Sequence, residues 1–422
     1  MLMKKGSFFL RIAGKFFHAD AILCTALVFA LMAGVVDLFN RLSFLNPFEQ
    51  ALSDFEMMDL VFSANIREEP GVDTSIVLIN IGNLPRRMIA RELEIIAAQE
   101  PLAVGIDAGF IPDLKPEDDS VLEAVLAKIP NLALYAMMHH TDSAQEGDFD
   151  SIAFCNPRFA RHGTPAYVNM VTPGKGESKF KICRSFHPLD TVRGKKYLPL
   201  SLQMAWFADS GKVKEFLKRG MDEEVINFRG NMEKFYSLDV GDMLGRDESG
   251  FMGVQDLGVN LKGKLVFMGF MGQDFSPYQQ SNTIEDKFFT PLNENVAGKS
   301  NPDMFGVVVH ANIASMVLNG FPIDQMSKYW KYFWAVFLCY INVLGFFFIQ
   351  RNFPTWYDLF VKGIQIGEVF LLLWISLLIF ARYHYKADLT LAAFAVGFSG
   401  DVLEIYVGLK EKIVALFKHY FG

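Results

Sequence analysis

Apolar and polar positions sort the 422 residues into two kinds of segment. Four apolar runs, residues 21–38, 332–349, 363–381 and 389–409, approach the ~20 residues with which an α-helix crosses a hydrocarbon core. Between the first and second lies a long mixed stretch, residues 40–327, in which the apolar period keeps changing. Residues 75–81 (SIVLINI) are largely apolar and β-branched, the pattern of a strand buried on both faces. Residues 85–99 have helical spacing, with Ile89, Leu93, Ile96 and Ala97 on one face. A strand at 103–110, a helix at 120–129 and a strand at 131–138 continue the alternation. This βαβαβ order predicts an α/β fold, a mainly parallel sheet covered by helices.

The second half of the stretch is less regular. Residues 141–151 are acidic and polar and read as a surface loop. Strand patterns recur at 167–171, 225–228 and 264–270, and a helix pattern at 199–208. Residues 273–303 read as a long Asn-, Gln- and Gly-rich loop, and a loop of that length in a compact domain is usually functional. Residues 306–320 (GVVVHANIASMVLNG) read as an apolar strand followed by a helix over 313–318, with Asn312 as its cap. This block is the last element before the second apolar run.

Flanking residues orient the apolar runs. Lys4, Lys5, Arg11 and Lys15 alternate with Phe8, Phe9, Phe16 and Phe17, an interfacial basic-aromatic pattern. No small-x-small cleavage site follows the first run, which reads as an uncleaved anchor. Arg351, Lys362, Lys410, Lys412 and Lys418 fall on the side of the N-terminal charges, whereas Arg382 and Lys386 fall on the other. The expected organisation is a cytoplasmic N-terminus and first span (1–39), an extracytoplasmic α/β domain (40–327), three spans (328–409) and a short cytoplasmic tail (410–422). That describes a multi-pass protein of the bacterial inner membrane, with its large domain on the periplasmic or extracellular side. Glu368, Asp401 and Glu404 fall inside the runs, where carboxylates are costly. Counted from Lys362 and Lys410, they share a depth roughly 9 to 14 Å from the inner boundary. Glu368 and Glu404 read as hydrated near the interface, and Asp401 as a packing or partner contact.

Composition supports this division. Apolar residues make up 51%, phenylalanines number 41 and mean hydropathy is +0.21, so a substantial soluble part accompanies the membrane part. The net charge of −7 offers no basic surface to nucleic acid. The eight histidines are scattered without zinc-site spacing, so no metal is expected. Gly174-Lys175-Gly176 lies in a polar turn and is no dinucleotide fingerprint. Residues 258–264 (GVNLKGK) mimic a phosphate loop, but Leu265 replaces the metal-binding hydroxyl and a strand pattern follows. No Gly-x-Ser-x-Gly elbow occurs. The expectation is a protein without cofactor or catalytic residues, and not an enzyme. Cys24 and Cys339 fall in apolar runs as small packing residues. Cys155 and Cys183 fall in the extracytoplasmic stretch, where an oxidising compartment favours a disulfide. Two separate buried thiols are the alternative.

Several blocks, in their order, carry a resemblance. These are residues 53–62, 76–81, 104–110 with Asp107, 225–230 (VINFRG), 261–269 (LKGKLVFMG), Asp274, 289–292 (FTPL) and 306–320. Together they resemble the type-two CHASE domain, an extracellular sensory domain commonly preceded by one span and followed by three. In many members the last span leads into a kinase, cyclase or phosphodiesterase; here 13 residues follow it. The resemblance therefore implies a sensor-like protein without its own catalytic output, acting through a separate membrane or cytoplasmic protein. The rival expectation is a structural or docking subunit of an envelope complex. Asp107 lies late in a buried strand, Arg229 and Asp274 each follow a strand pattern, and His310 lies in the last block. Ligands of parallel α/β sheets gather beyond the carboxyl ends of strands, so the four are expected to converge there on a polar small molecule. The structural alternatives are an Asp107–Arg229 pair or an Asp107 turn cap, and a core role for His310.

Overall fold

The computed structural model describes residues 18–41, 57–63, 71–110, 115–139, 149–170, 182–245, 257–272, 286–293 and 301–421. The chain divides into two compact units, Phe62–Ile323 and the paired segments Met1–Val61 and Asp324–Gly422. Helix α1 (Ala19–Arg41) belongs to the second unit.

The first unit follows the predicted alternation through β1 (Asp73–Asn80), α2 (Arg86–Ala98), β2 (Ala103–Asp107), α3 (Pro116–Leu126) and β3 (Leu132–His139). It continues with β4 (Ser151–Phe154), β5 (Thr164–Tyr167), α4 (Leu200–Ala208), α5 (Ser210–Leu217), β6 (Phe235–Leu238) and α6 (Val240–Leu244). The last elements are β7 (Leu265–Gly269), β8 (Lys287–Phe288), β9 (Met304–Phe305) and α7 (Gly306–Asn319). The main sheet runs β6-β1-β7-β2-β3, and the outer edge of β3 carries β5 and then β4. Among the described residues of this sheet only the β3–β4 pair is antiparallel.

Strand β7 enters between β1 and β2, so the first two strands do not pair with each other. Its five residues are all buried. Leu265 stands opposite Ile76 and Ala103, and Gly269 opposite Asn80 and Asp107. Side-chain alternation divides the sheet into two faces. Val77, Ile79, Val104, Ile106, Leu132, Leu134, Val266 and Met268 pack with Ile89 and Leu93 of α2 and Leu122 and Leu126 of α3. The opposite face is covered by α4 and α7. Two glycines permit that approach. A Cβ on Gly105 would lie 2.8 Å from Met204 Sδ, and one on Gly269 would lie 2.9 Å from Val307 Cβ.

The structure departs from the sequence pattern at several places. Residues 306–320 hold no strand: α7 is helical from Gly306, and every residue from Gly306 to Val317 is buried. A wholly apolar run has no polar face to reveal its period, so pattern alone does not separate helix from strand. Asn312 is not a cap. Its Nδ2 donates to Val308 O and Gly230 O (both 3.0 Å), and its Oδ1 accepts from Arg229 N (2.7 Å). The helix ends at Gly320 (φ 71°), where Phe321 N donates to Met316 O at 3.1 Å, a left-handed terminus that glycine favours. Strand β5 lies earlier than its pattern, Ser151 opens β4, only Val225 of the 225–228 run is strand (with Glu224 before it), and β6 had no clear signal.

In the second unit α1 is joined by α8 (Lys328–Asn352), α9 (Tyr357–Tyr383) and α10 (Thr390–Phe421). Among the described residues three stretches are long and apolar enough to cross a membrane: Lys328–Asn352, Pro354–Tyr383 and Thr390–Phe417. The apolar part of α1, Ala19–Val35, is shorter. Ala21, Cys24 and Val28 of α1 pack in one cluster with Cys339, Val343 and Phe346 of α8 and Val402 and Leu403 of α10. The helices outrun the predicted bounds, so Lys362 lies within α9 and the expected tail continues α10. Lys362 Nζ donates to Asp401, Glu404 lies beside Asp358, and Glu368 beside Asn342.

The tight β7–α7 contact generates a stability prediction. Gly269→Val would push against Val307, whose Cβ is fixed to the helix backbone, and is expected to cost ~1–3 kcal/mol. Gly71→Ala, with nothing within 4 Å of its new Cβ, is the control. Thermal unfolding of both variants in detergent checks the difference.

Candidate functional site

The register of the sheet sets Asn80, Gly269 and Asp107 in one row at the carboxyl ends of β1, β7 and β2. Asn80 is saturated. Its Nδ2 donates to Asp239 Oδ1 (2.8 Å) and Gly272 O (3.3 Å), and its Oδ1 accepts from Met271 N (2.8 Å) and Gly82 N (3.0 Å). It therefore ties together the segments that follow β1, β6 and β7.

Asp107 is placed differently. A Cβ on Gly306, the first residue of α7, would lie 3.7 Å from Asp107 Oδ2, 3.9 Å from Asp286 Oδ1 and 3.3 Å from the Phe288 ring. Glycine at this position lets the Phe288 ring and the two carboxylates close in on the start of the helix. Gly306 N donates to Asp286 O at 3.1 Å, which fixes the Asp286 backbone to the start of the helix. Tyr135 of β3 shares the sheet face of Asp107, opposite to Leu132 and Leu134. Burial raises the pKa of its hydroxyl, and the nearby Asp107 and Asp286 raise it further. Burial, followed by the charge of Asp286, pushes Asp107 up to about 8. Burial pushes Asp286 up to about 6.

His310 lies one turn beyond Gly306, on the same side of α7. It is 1% exposed, and neither ring nitrogen makes a hydrogen bond of ordinary geometry. Burial drives its pKa down to about 3, against a hydrogen bond with the Val168 backbone, so the imidazole is neutral.

The predicted convergence of four residues is only partly met. Asp107 and His310 both lie along the first turns of α7. Arg229 lies at the other end of that helix. Its Nε donates to Ser315 Oγ (3.0 Å), its Nη1 to Gly71 O (2.7 Å), and its Nη2 is 3.9 Å from Asp73 Oδ2. Asp73 opens β1 and also accepts from Ser315 Oγ (2.6 Å) and Asn319 Nδ2 (3.1 Å). Burial raises the Asp73 pKa, but hydrogen bonds from Ser315 and Ser75 and the charge of Arg229 outweigh it and hold the carboxylate below its usual range. Nine residues of helix, or roughly 13 Å, separate Ser315 from Gly306. Arg229 therefore fastens α7 to the amino end of β1, and the carboxylate it pairs with is Asp73, not Asp107. Asp274 lies outside the described residues.

The disulfide expectation is corrected. Cys155 and Cys183 are both buried and free. Cys155 packs in the core cluster of Phe110 and Phe159, whereas Cys183 N donates to Phe289 O at 2.8 Å. Compartment chemistry favours pairing but does not bring two side chains to bonding geometry. Burial pushes the thiols up to about 11 and about 12, respectively.

Sequence reasoning missed Asp286 and Tyr135, which only the fold brings beside Asp107. It also missed Glu92 of α2. This carboxyl is fully buried, and neither oxygen has a hydrogen-bond partner. Burial, followed by the charge of Asp239, pushes it up to about 8. A folded pKa above the ordinary glutamate value of 4.5 means that the fold holds a proton the unfolded chain releases. The associated stability is complete below the unfolded pKa and is lost as pH rises through the folded one. Thermal melts from about pH 5 to about pH 8 should fall for the native chain, and Glu92→Gln should flatten that fall. At the upper pH the variant is expected to melt higher by on the order of 5 °C.

No curated protein and no solved structure matches the chain. The family model of the CHASE2 domain matches residues 25–348. That match begins within α1, takes in the whole α/β unit and ends within α8. The chain belongs to the CHASE2 domain family, a family of extracellular sensor domains.

Proposed function

We propose that the chain is a membrane-anchored extracytoplasmic sensor. Its α/β unit binds a small molecule beside Asp107, and α7 passes the event toward the helical unit. The observation that carries this reading is the position of Gly306, which is both the floor of the carboxylate site and the first residue of α7. A ligand seated there bears on the end of a helix that is buried from Gly306 to Val317. Close-packed cores transmit displacement instead of absorbing it. Residues 320–327 are the covalent link from α7 to α8.

Family membership supports the sensing role, and the three long apolar helices support a bilayer as the setting. The basic residues Arg351, Lys410 and Lys412 favour an inner-membrane orientation with the α/β unit outside. In this reading α1 is the fourth crossing. It packs on α8 and α10 through Ala21, Cys24 and Val28, and turns Ile22, Leu23, Leu31 and Val35 outward, as a lipid-facing helix does. The output is conformational, and a separate membrane or cytoplasmic protein receives it.

Two measurements test the proposal. Gly306→Leu would crowd the Phe288 ring and both carboxylates. A small molecule that raises the melting temperature of the native protein in mild detergent should have no effect on this variant. Stoichiometric co-purification with an envelope protein, with no small molecule shifting the melt, would instead indicate a docking subunit. For orientation, Lys196→Cys should react with a membrane-impermeant maleimide in spheroplasts, and Glu411→Cys only after lysis. The reverse labelling pattern would refute the topology.

A further inference from the structure

The outward side of α10 carries one uninterrupted stripe. Phe394, Phe398, Asp401, Ile405 and Gly408 follow one another at spacings of four, three, four and three residues. That is the repeat of about 3.5 residues found along the seam between two packed helices. Phe394, Phe398 and Ile405 are exposed, the Asp401 side chain is 52% exposed, and a Cβ on Gly408 would meet nothing within 4 Å. The opposite side of α10 is the packed one, where Ala395, Val402 and Leu403 join the cluster shared with α1 and α8. The stripe is therefore separate from the contacts that hold the helical unit together.

Asp401 distinguishes this stripe from a lipid-facing surface. It lies ~16 Å along the axis from Thr390, about the middle of a hydrocarbon core of roughly 30 Å. A carboxylate turned toward hydrocarbon at that depth is costly, and ionisable side chains inside spans face a partner or a cavity. The charge around it is unbalanced. Lys362 Nζ donates to Asp401, while Glu404, also exposed, lies beside Asp358 and near the same lysine. Among the described residues one ammonium thus answers three carboxylates along this side of α9 and α10, and negative charge remains in excess.

We infer that the stripe docks a transmembrane helix of another membrane protein, with an arginine or lysine of that helix set against Asp401 and Glu404. This inference rests on the sensor reading, whose output goes to a separate protein, and specifies where that protein docks and what it carries. Charge excludes a second copy of the chain, because symmetric pairing along the stripe would set the Asp401 side chains of two copies against each other. Depth excludes a lipid headgroup, which lies outside the hydrocarbon core. A basic residue within a partner's span is itself costly until it is paired, so each helix supplies the charge that the other lacks. One polar position in an otherwise apolar seam also fixes the register of the two helices. Gly408 lets the partner's backbone approach closely at the inner end.

The test places the full-length chain, carrying a donor fluorophore at Glu411→Cys, in phospholipid bilayers with synthetic leucine-alanine transmembrane helices that carry an acceptor. One helix has arginine at mid-bilayer, a second has leucine there and a third has glutamate. Energy transfer should report association of the arginine helix, and association about threefold to thirtyfold weaker for the other two. Asp401→Asn should weaken the arginine helix by a similar factor. Gly408→Ile, whose side chain meets nothing in the chain itself, should weaken it as well, and gives the reading if Asp401→Asn does not insert. Phe370→Ala, on the exposed side of α9, should leave it unchanged. The inference is overturned if the three helices bind alike, or if Asp401→Asn and Gly408→Ile both keep full binding. It is also overturned if two copies of the chain associate and Gly408→Ile separates them, which would make the stripe a seam between copies. No small molecule enters this assay, so its failure is distinct from that of the sensor reading, whose signature is a melt indifferent to every small molecule.

Discussion

The α/β unit depends on one insertion, that of β7 between β1 and β2. Leu265–Gly269 pairs in parallel with both neighbours, and its side chains enter the cores on both faces of the sheet. Without it, β1 and β2 would each present an unpaired edge in the middle of the fold, which a buried backbone does not tolerate. The insertion also fixes the chemistry, because Gly269 at the end of β7 brings Asn80 and Asp107 into one row. The long intervening chain is a modest obstacle, since the entropy of closing a loop grows only slowly with its length.

The two ends of the sheet use polar groups in opposite ways. At the amino end, Arg229, Asp73, Ser315 and Asn319 satisfy one another, and Asp73 stays ionised. That is an anchor. At the carboxyl end, Asp107 and Asp286 add negative charge to each other's neighbourhood, and His310 is buried as a neutral imidazole. Clusters of like charge with shifted pKa values recur at functional sites and in structural networks alike. Helix α7 spans both ends, fixed at Ser315 and Asn319 and bordered by the site at Gly306. The helical unit pairs its own charges in a similar manner, Lys362 with Asp401, and Asp20 with Tyr406 and Lys410.

The apolar pattern alone determined much of this protein. Buried strands at β1, β2, β3 and β7, the helices between them, and the three long apolar helices all follow from period and length, because each buries a contiguous apolar surface. Asp107 was legible as a carboxylate late in a buried strand, and His310 as a histidine in an apolar run. Tertiary structure decided the rest. Which strand lies between β1 and β2 is a choice among distant partners that no local period encodes. The 306–320 block read as part strand because a run without polar positions shows no phase, and packing against Gly269 decided for helix. Arg229 and Asp107 looked equivalent, each following or closing a strand, yet they occupy opposite ends of α7. Asp286 carried no signal until the β8–β9 pairing set it beside Gly306. Cys155 and Cys183 shared a compartment but not a location, and proximity in space is what a disulfide or a binding site requires.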